Sequence, residues 1–195
     1  LKVLHDNGIN YIRIRIWNDP FNADGETYGG GGNDVSTGVE IAKEAAQYDM
    51  KVLLDFHYSD FWAEPAVQLV PKAWKKDVNN TEKMCSDVYD FTKESIQKFK
   101  DAGANIGMVQ VGNEITNGLL GIYSNRDKGE SFNVIWGDKK KSTEVNKYLK
   151  AGIKAVRECT PQALVALHLE TPNVWKYKTI MNTWKRDNVD YDVLG

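Results

Sequence analysis

The chain has 195 residues, of which 42% are hydrophobic, enough for one domain with a buried core. Its 25 basic and 27 acidic side chains leave a net charge of −2, which argues against a nucleic-acid or anionic-membrane partner. No run of about 18 apolar residues is present, so no membrane-spanning helix is expected.

In chain order, Leu1 to Asn7 reads as the end of a helix stopped by Gly8. Tyr11 to Trp17 alternates as a strand. Val35 to Tyr48 has helical spacing behind the capping candidates Ser36 and Thr37. Lys51 to His57 is a second strand, and Thr81 to Asp101 a long amphipathic helix with Met84, Val88, Phe91, Ile96 and Phe99 on or near one face. A strand over 107–112, a helix over 143–158, a strand over 164–169, a helix over 177–186 and the beginning of a strand over 191–195 follow.

Helix and strand thus alternate, which predicts a parallel sheet with crossover helices. The fold expected is a (β/α)8 barrel of the TIM type. The single partial domain, residues 1–195, would run from the end of the first helix to the start of the sixth strand. An open doubly wound sheet is the structural rival. It lacks support from any Gly-x-Gly-x-x-Gly after a strand, and the four glycines Gly29 to Gly32 lie mid-loop with no Lys-Ser/Thr behind them. A barrel wall without strands on both sides would expose two edges, so these residues alone are expected to be poorly soluble or inactive. Cys85 and Cys159 belong to no CxxC or metal spacing and read as buried apolar thiols.

Strand side chains alternate between faces. Arg13, Arg15 and Trp17 share a face; so do Asp55 and His57; so do Gln110, Gly112 and Glu114; so do Ala166, His168 and Glu170. The opposite faces are apolar, as expected beneath helices. Polar side chains converging on a barrel axis must pair or bind something, and an Arg13–Asp55 ion pair is one expectation. The Asn113-Glu114 pair falls where a strand breaks at Gly112, at the carboxyl end where chemistry sits in such folds. A glutamate there can protonate a leaving oxygen, and the asparagine beside it can hold a hydroxyl. A metal site built from His57, His168 and Asp55 or Glu170 has no supporting spacing, and neither a metal nor a cofactor is expected. Aromatic residues in loops, among them Trp17, Tyr28, Tyr58, Phe61, Trp62, Trp136 and Trp175, suit stacking against sugar rings.

Three stretches carry a resemblance to a known family: Ile12 to Pro20, Leu54 to Pro65 and Val109 to Gly118. They resemble, in order and over nearly the whole chain, the endo-β-1,4-galactanases of glycoside hydrolase family 53. The resemblance implies a secreted, monomeric, retaining hydrolase of β-1,4-galactan, the side chains of pectin. It implies Glu114 as general acid/base and Asn113 as the hydrogen-bond partner of the sugar 2-hydroxyl. Arg15 would orient the nucleophile; His57, Tyr58, Asp60 and Trp62 would form the groove floor and wall; His168 would stand near the site. The nucleophile is implied to be a glutamate on a strand beyond residue 195, with Glu170 a rival within the chain. Glu64 and Glu170 stand where the family more often has Asp. A non-catalytic galactan-binding protein, or a related glycosidase acting on mannan, glucan or xylan, are the alternatives.

Overall fold

The computed structural model describes residues 1–195. Its main elements are α1 (Lys2–Asp6), β1 (Tyr11–Ile16), α2 (Val35–Ala46), β2 (Lys51–Phe56), α3 (Thr81–Asp101), β3 (Ile106–Val111), the short hairpin strands β4 (Gly118–Leu119) and β5 (Ile122–Tyr123), α4 (Asn133–Trp136), α5 (Lys139–Cys159), β6 (Leu164–Leu167), α6 (Val174–Arg186) and β7 (Val193–Leu194). Five of the strands form one parallel sheet in the order β1-β2-β3-β6-β7. That order follows the chain without a reversal. A doubly wound sheet needs a point where the order turns back. Here every crossover advances one strand in the same direction, and with the right-handed connection usual for parallel strands this keeps the helices on one face. The sheet is a section of barrel wall.

The helices begin where the sequence supplies oxygen acceptors for their unpaired N–H groups. Asp34 accepts from Ser36, Asn80 from Lys83, Asp138 from Lys140 and Lys141, and Asn173 from Lys176. The cap of α2 is therefore Asp34, two and three residues ahead of the expected Ser36 and Thr37. The outer helices bury one stripe each against the apolar strand face. Ile14, Ile16, Val52, Leu54, Phe56, Val109, Val111, Val165 and Leu167 make that face, and Met84, Val88, Ile96, Phe99, Leu149 and Val156 pack onto it within one core. The opposite strand face carries Arg13, Arg15, Asp55 and Gln110 toward the carboxyl ends.

Tyr58 differs from expectation. It is 1% exposed and lies in the helix layer rather than in a groove wall. Its hydroxyl sits 2.8 Å from Thr92 Oγ1, and its ring stacks on Phe56 at 5.7 Å. Burial pushes its pKa up, against the opposing hydrogen bond with Thr92. β2 ends at Phe56, and the backbone at Tyr58 is left-handed, φ 51°, with its ring laid on Phe56 in the helix layer. The helix α5 passes so close that a Cβ on Gly152 would lie 2.6 Å from the Tyr58 hydroxyl and 2.8 Å from Val111 Cγ1.

Gly152→Ala sets two effects against each other. Helix propensity favours alanine by about 1 kcal/mol, whereas the added methyl meets a ring pinned by its hydrogen bond in a close-packed layer. The steric effect is expected to win. Urea unfolding should show Gly152→Ala less stable than the parent; a gain in stability would mean that the Tyr58 ring yields freely.

Candidate active site

Seven side chains line a cavity of about 260 Å³ at the carboxyl ends of β1, β2 and β3: Arg13, Arg15, Asp55, His57, Trp62, Asn113 and Glu114. Its floor is a hydrogen-bonded network around two oxygen-bearing groups. Asp55 is fully buried. Its Oδ2 lies 2.9 Å from the Arg13 guanidinium and 3.1 Å from His57 Nε2, and its Oδ1 accepts from Gln110 Nε2 at 2.6 Å. Asn113 is the second hub. Its Oδ1 accepts from Arg13 at 2.8 Å and from Gln110 at 3.2 Å, while its Nδ2 donates to the Ala63 carbonyl at 2.8 Å.

The partners assign the histidine tautomers. The Ala63 N–H donates to His57 Nδ1 at 3.1 Å, so the proton sits on Nε2 and points at Asp55. Both ring nitrogens are thereby engaged, and neither is offered to a metal. His168 Nδ1 is 2.8 Å from Asn113 Oδ1, which can only accept, and 3.3 Å from the Glu114 N–H. The shorter contact puts the proton on Nδ1. Burial, then the Arg13 charge, depress the pKa of His168 and keep it neutral. No group of three His, Cys, Asp or Glu side chains is arranged to hold a metal ion.

Glu114 follows the break at Gly112 and sits in the left-handed region, φ 48° and ψ 48°. The turn is tied from three sides. The Ile115 N–H reaches the His168 carbonyl at 3.0 Å, Thr116 Oγ1 takes the Glu170 N–H at 2.8 Å, and Trp136 Nε1 donates to the Thr116 carbonyl at 2.6 Å. The Glu114 pKa is raised, first by burial, then by the charges of Glu170 and Glu64; Arg13 and His57 oppose the shift. A carboxyl so held keeps its proton at a pH where an ordinary glutamate has lost it, which suits a proton donor.

The wall beside this floor is aromatic. Trp17 is fully buried, 6.0 Å from His57 and 5.0 Å from Phe61 between ring centroids. Trp62 is 40% exposed and carries the Arg15 guanidinium 4.6 Å from its ring centroid. Arg13, rather than Arg15, supplies the ion pair of the network. Asp60 lies outside the cavity lining. Its two oxygens accept the N–H groups of Asp19 and Lys72, pinning the loops that follow β1 and β2. Glu170 turns toward Lys176, 3.4 Å away, and toward the Thr171 hydroxyl.

The family model of glycosyl hydrolase family 53 matches residues 1–195. The chain belongs to this family. Its sequence is 44% identical to the endo-β-1,4-galactanase of Bacillus subtilis (strain 168) over 98% of the chain and 41% of that protein. It is 28% identical to the arabinogalactan endo-β-1,4-galactanase of Humicola insolens over 99% of the chain and 53% of that protein. Among solved structures, the GH53 catalytic domain of Ignisphaera aggregans superposes with a TM-score of 0.85 at 33% identity, over 99% of this chain and 49% of that one. The β-mannanase of the blue mussel Mytilus edulis, 15% identical with a TM-score of 0.56 over 99% and 59%, shares the fold. The chain spans about half the length of the curated relatives it matches. Barrel membership agrees with the sequential strand order.

In this family 53 chain the structure brings Glu114, Asn113, Arg15, His57 and Trp62 of the expected site residues to the cavity, with His168 bonded to its edge. It sends Tyr58 to the core and Asp60 to a loop anchor. Gln68 was not foreseen: it lies in an irregular loop between two prolines, where no periodicity marks it.

Neutralising Glu170 removes a charge that raises the Glu114 pKa, so Glu170→Gln is expected to lower that pKa. Carboxyl NMR titration of Glu114 reads the sign directly; an unchanged or higher value would place Glu170 out of electrostatic reach.

Proposed function

We propose that this chain carries the acid/base half of a retaining endo-β-1,4-galactanase, acting on the galactan side chains of pectin. The observation that carries the reading is Glu114 itself: a strand-end carboxyl in an open cavity, its pKa raised by burial and like charge, beside an asparagine fixed by three donors. The names of the family relatives support the choice of galactan.

Retention takes two carboxyls about 5–5.5 Å apart. In this reading Glu114 gives its proton to the leaving glycosidic oxygen while a second carboxylate, from a part of the barrel outside these residues, attacks the anomeric carbon. Glu114, now ionised, then takes a proton from the water that releases the sugar. Asn113 has its Oδ1 occupied by protein donors, and its position beside Glu114 suits a contact with the 2-hydroxyl that strengthens as the ring gains oxocarbenium character. Trp62, with Arg15 stacked on it, offers a flat face for a neighbouring ring. Glu170, paired with Lys176, serves the field around Glu114 rather than the attack. No step calls for a metal, a cofactor or a partner chain. A polymeric substrate that cannot enter a cell places the enzyme outside it, and no helix is long and apolar enough to cross a membrane.

In the full-length enzyme, Glu114→Gln is expected to lower turnover of galactan by about 10²–10⁴-fold while galactan still binds. Near-parental release of reducing ends would refute the assignment. The pH profile carries a second expectation. The donor works only while protonated, so activity falls as pH rises through the Glu114 pKa. That alkaline limb should lie above the ordinary glutamate value of about 4.3; a limb at or below it, read from kcat/KM against pH, would mean that Glu114 is not the donor.

A further inference from the structure

Nothing in the Glu114 side chain's surroundings aims it by hydrogen bonding. Gln68 Nε2 reaches the Glu114 backbone carbonyl, no hydrogen bond reaches the Glu114 carboxyl, and its pKa follows burial and neighbouring charge. The direction of the carboxyl is therefore set by the backbone at positions 113 and 114, and that backbone is left-handed at a residue with a Cβ, a conformation that persists only when the surroundings over-determine it.

One side chain outside the cavity lining grips this backbone. Gln68 comes from the loop after β2 and is 1% exposed. Its Nε2 lies 2.9 Å from the Asn113 carbonyl oxygen, 3.4 Å from that of Glu114 and 3.1 Å from that of Glu64. Two N–H bonds are thus shared among three carbonyls that point to one spot. The opposite amide orientation would set an oxygen against three oxygens, so the assignment is fixed by the network. The Oε1 of the same amide is buried with no partner. A buried acceptor left unpaired costs stability, and a hydrocarbon of the same length would avoid that cost. The loop that delivers Gln68 is itself anchored: Glu64 and Val67 exchange backbone hydrogen bonds, the Gly121 N–H donates to the Gln68 carbonyl at 2.6 Å, and Asn117 Nδ2 donates to the Pro65 carbonyl.

We infer that Gln68 is a positioning residue for the acid/base pair: its amide gathers the carbonyls of Asn113 and Glu114 and so fixes the turn that points the Glu114 carboxyl into the cavity. This rests on the reading of Glu114 as acid/base. The same clamp joins Glu64, whose charge raises the Glu114 pKa, to the turn it acts on.

The test uses the full-length enzyme and two substrates. Galactan has a poor leaving group and needs a proton from Glu114. A galactobioside of dinitrophenol leaves without one. Gln68→Met keeps the length of the side chain and removes the donor. If Gln68 positions Glu114, kcat on galactan falls by about 10²-fold, KM changes little, and the loss of the first, bond-breaking step on the dinitrophenyl substrate, read as the burst of dinitrophenolate, is much smaller. Added azide, which needs no general base, should then raise steady-state turnover of that substrate. Equal loss on both substrates, or none on either, would overturn the inference. Should Gln68→Met fail to fold, Gln68→Asn, which withdraws the amide by one methylene, is read in the same way. Failure of both to fold would overturn it in favour of a purely structural role. A parent enzyme that releases no reducing ends from galactan would instead defeat the reading of function.

Discussion

Asp55 is a carboxylate taken wholly out of water in the middle of a parallel sheet, and the arrangement around it follows from keeping it paired. Three neighbours meet it: Arg13 from β1, His57 from its own strand and Gln110 from β3. Breaking such a buried group of partners costs about 3–5 kcal/mol, because the charge that remains has no water to turn to. The pairing fixes where Arg13 and Gln110 point, and both then reach the Asn113 amide oxygen. The asparagine so held is covalently next to Glu114. Order in the Asn113–Glu114 pair thus descends from a charge that is hydrogen-bonded to neither residue.

Around that fixed floor the electrostatics are balanced rather than extreme. Glu170 and Glu64 push the Glu114 proton on, while Arg13 and His57 pull it off. Glu170 keeps its own counter-ion in Lys176, so its influence on Glu114 can be tuned through a residue on α6. The two groups of loops that build the wall are likewise tied to each other. Lys72 donates to the Phe21 carbonyl and pairs with Asp19, and Asp60 binds the N–H groups of both. The aromatic shelf formed by Trp17, Phe61 and Trp62 is a unit because the loops beneath it are joined.

Periodicity in the sequence exposes whatever the sheet and the long helices decide. The helix over 81–101 coincides with its expected bounds, since an unbroken apolar stripe and a terminal Gly103 leave little freedom. The strand alternation that groups Asp55 with His57 holds, but beyond Val111, where β3 ends, it fails: the left-handed turn at Gly112 and Glu114 brings both Asn113 and Glu114 to the cavity. The resemblance to family 53 had set Tyr58 in the groove; a left-handed turn just past β2, which no periodicity marks, lays its ring on Phe56 and its hydroxyl on Thr92 instead. Contacts distant in sequence are not written in any window. The hairpin of β4 and β5, the short helix α4 and the turn at Lys72–Asp77 take shape from what they pack against. Arg13 and Arg15 are indistinguishable by alternation; only the lateral position of Asp55 and Asn113 separates the network arginine from the one stacked on Trp62. Gln68 is invisible for the same reason, 45 residues from the carbonyl it holds at Asn113.

The left-handed backbone at Glu114 has an evolutionary side. A residue with a Cβ held there costs roughly 1–2 kcal/mol relative to the right-handed region, and glycine or asparagine would relieve much of it. With Glu114 as the proposed acid/base, selection for stability and selection for chemistry pull this position in opposite directions. Replacement of the glutamate by glycine or asparagine is favoured by folding, so an inactive descendant could persist as a sturdier barrel that has lost its chemistry. A lineage that keeps its glutamate must hold a surplus of stability elsewhere in the barrel wall.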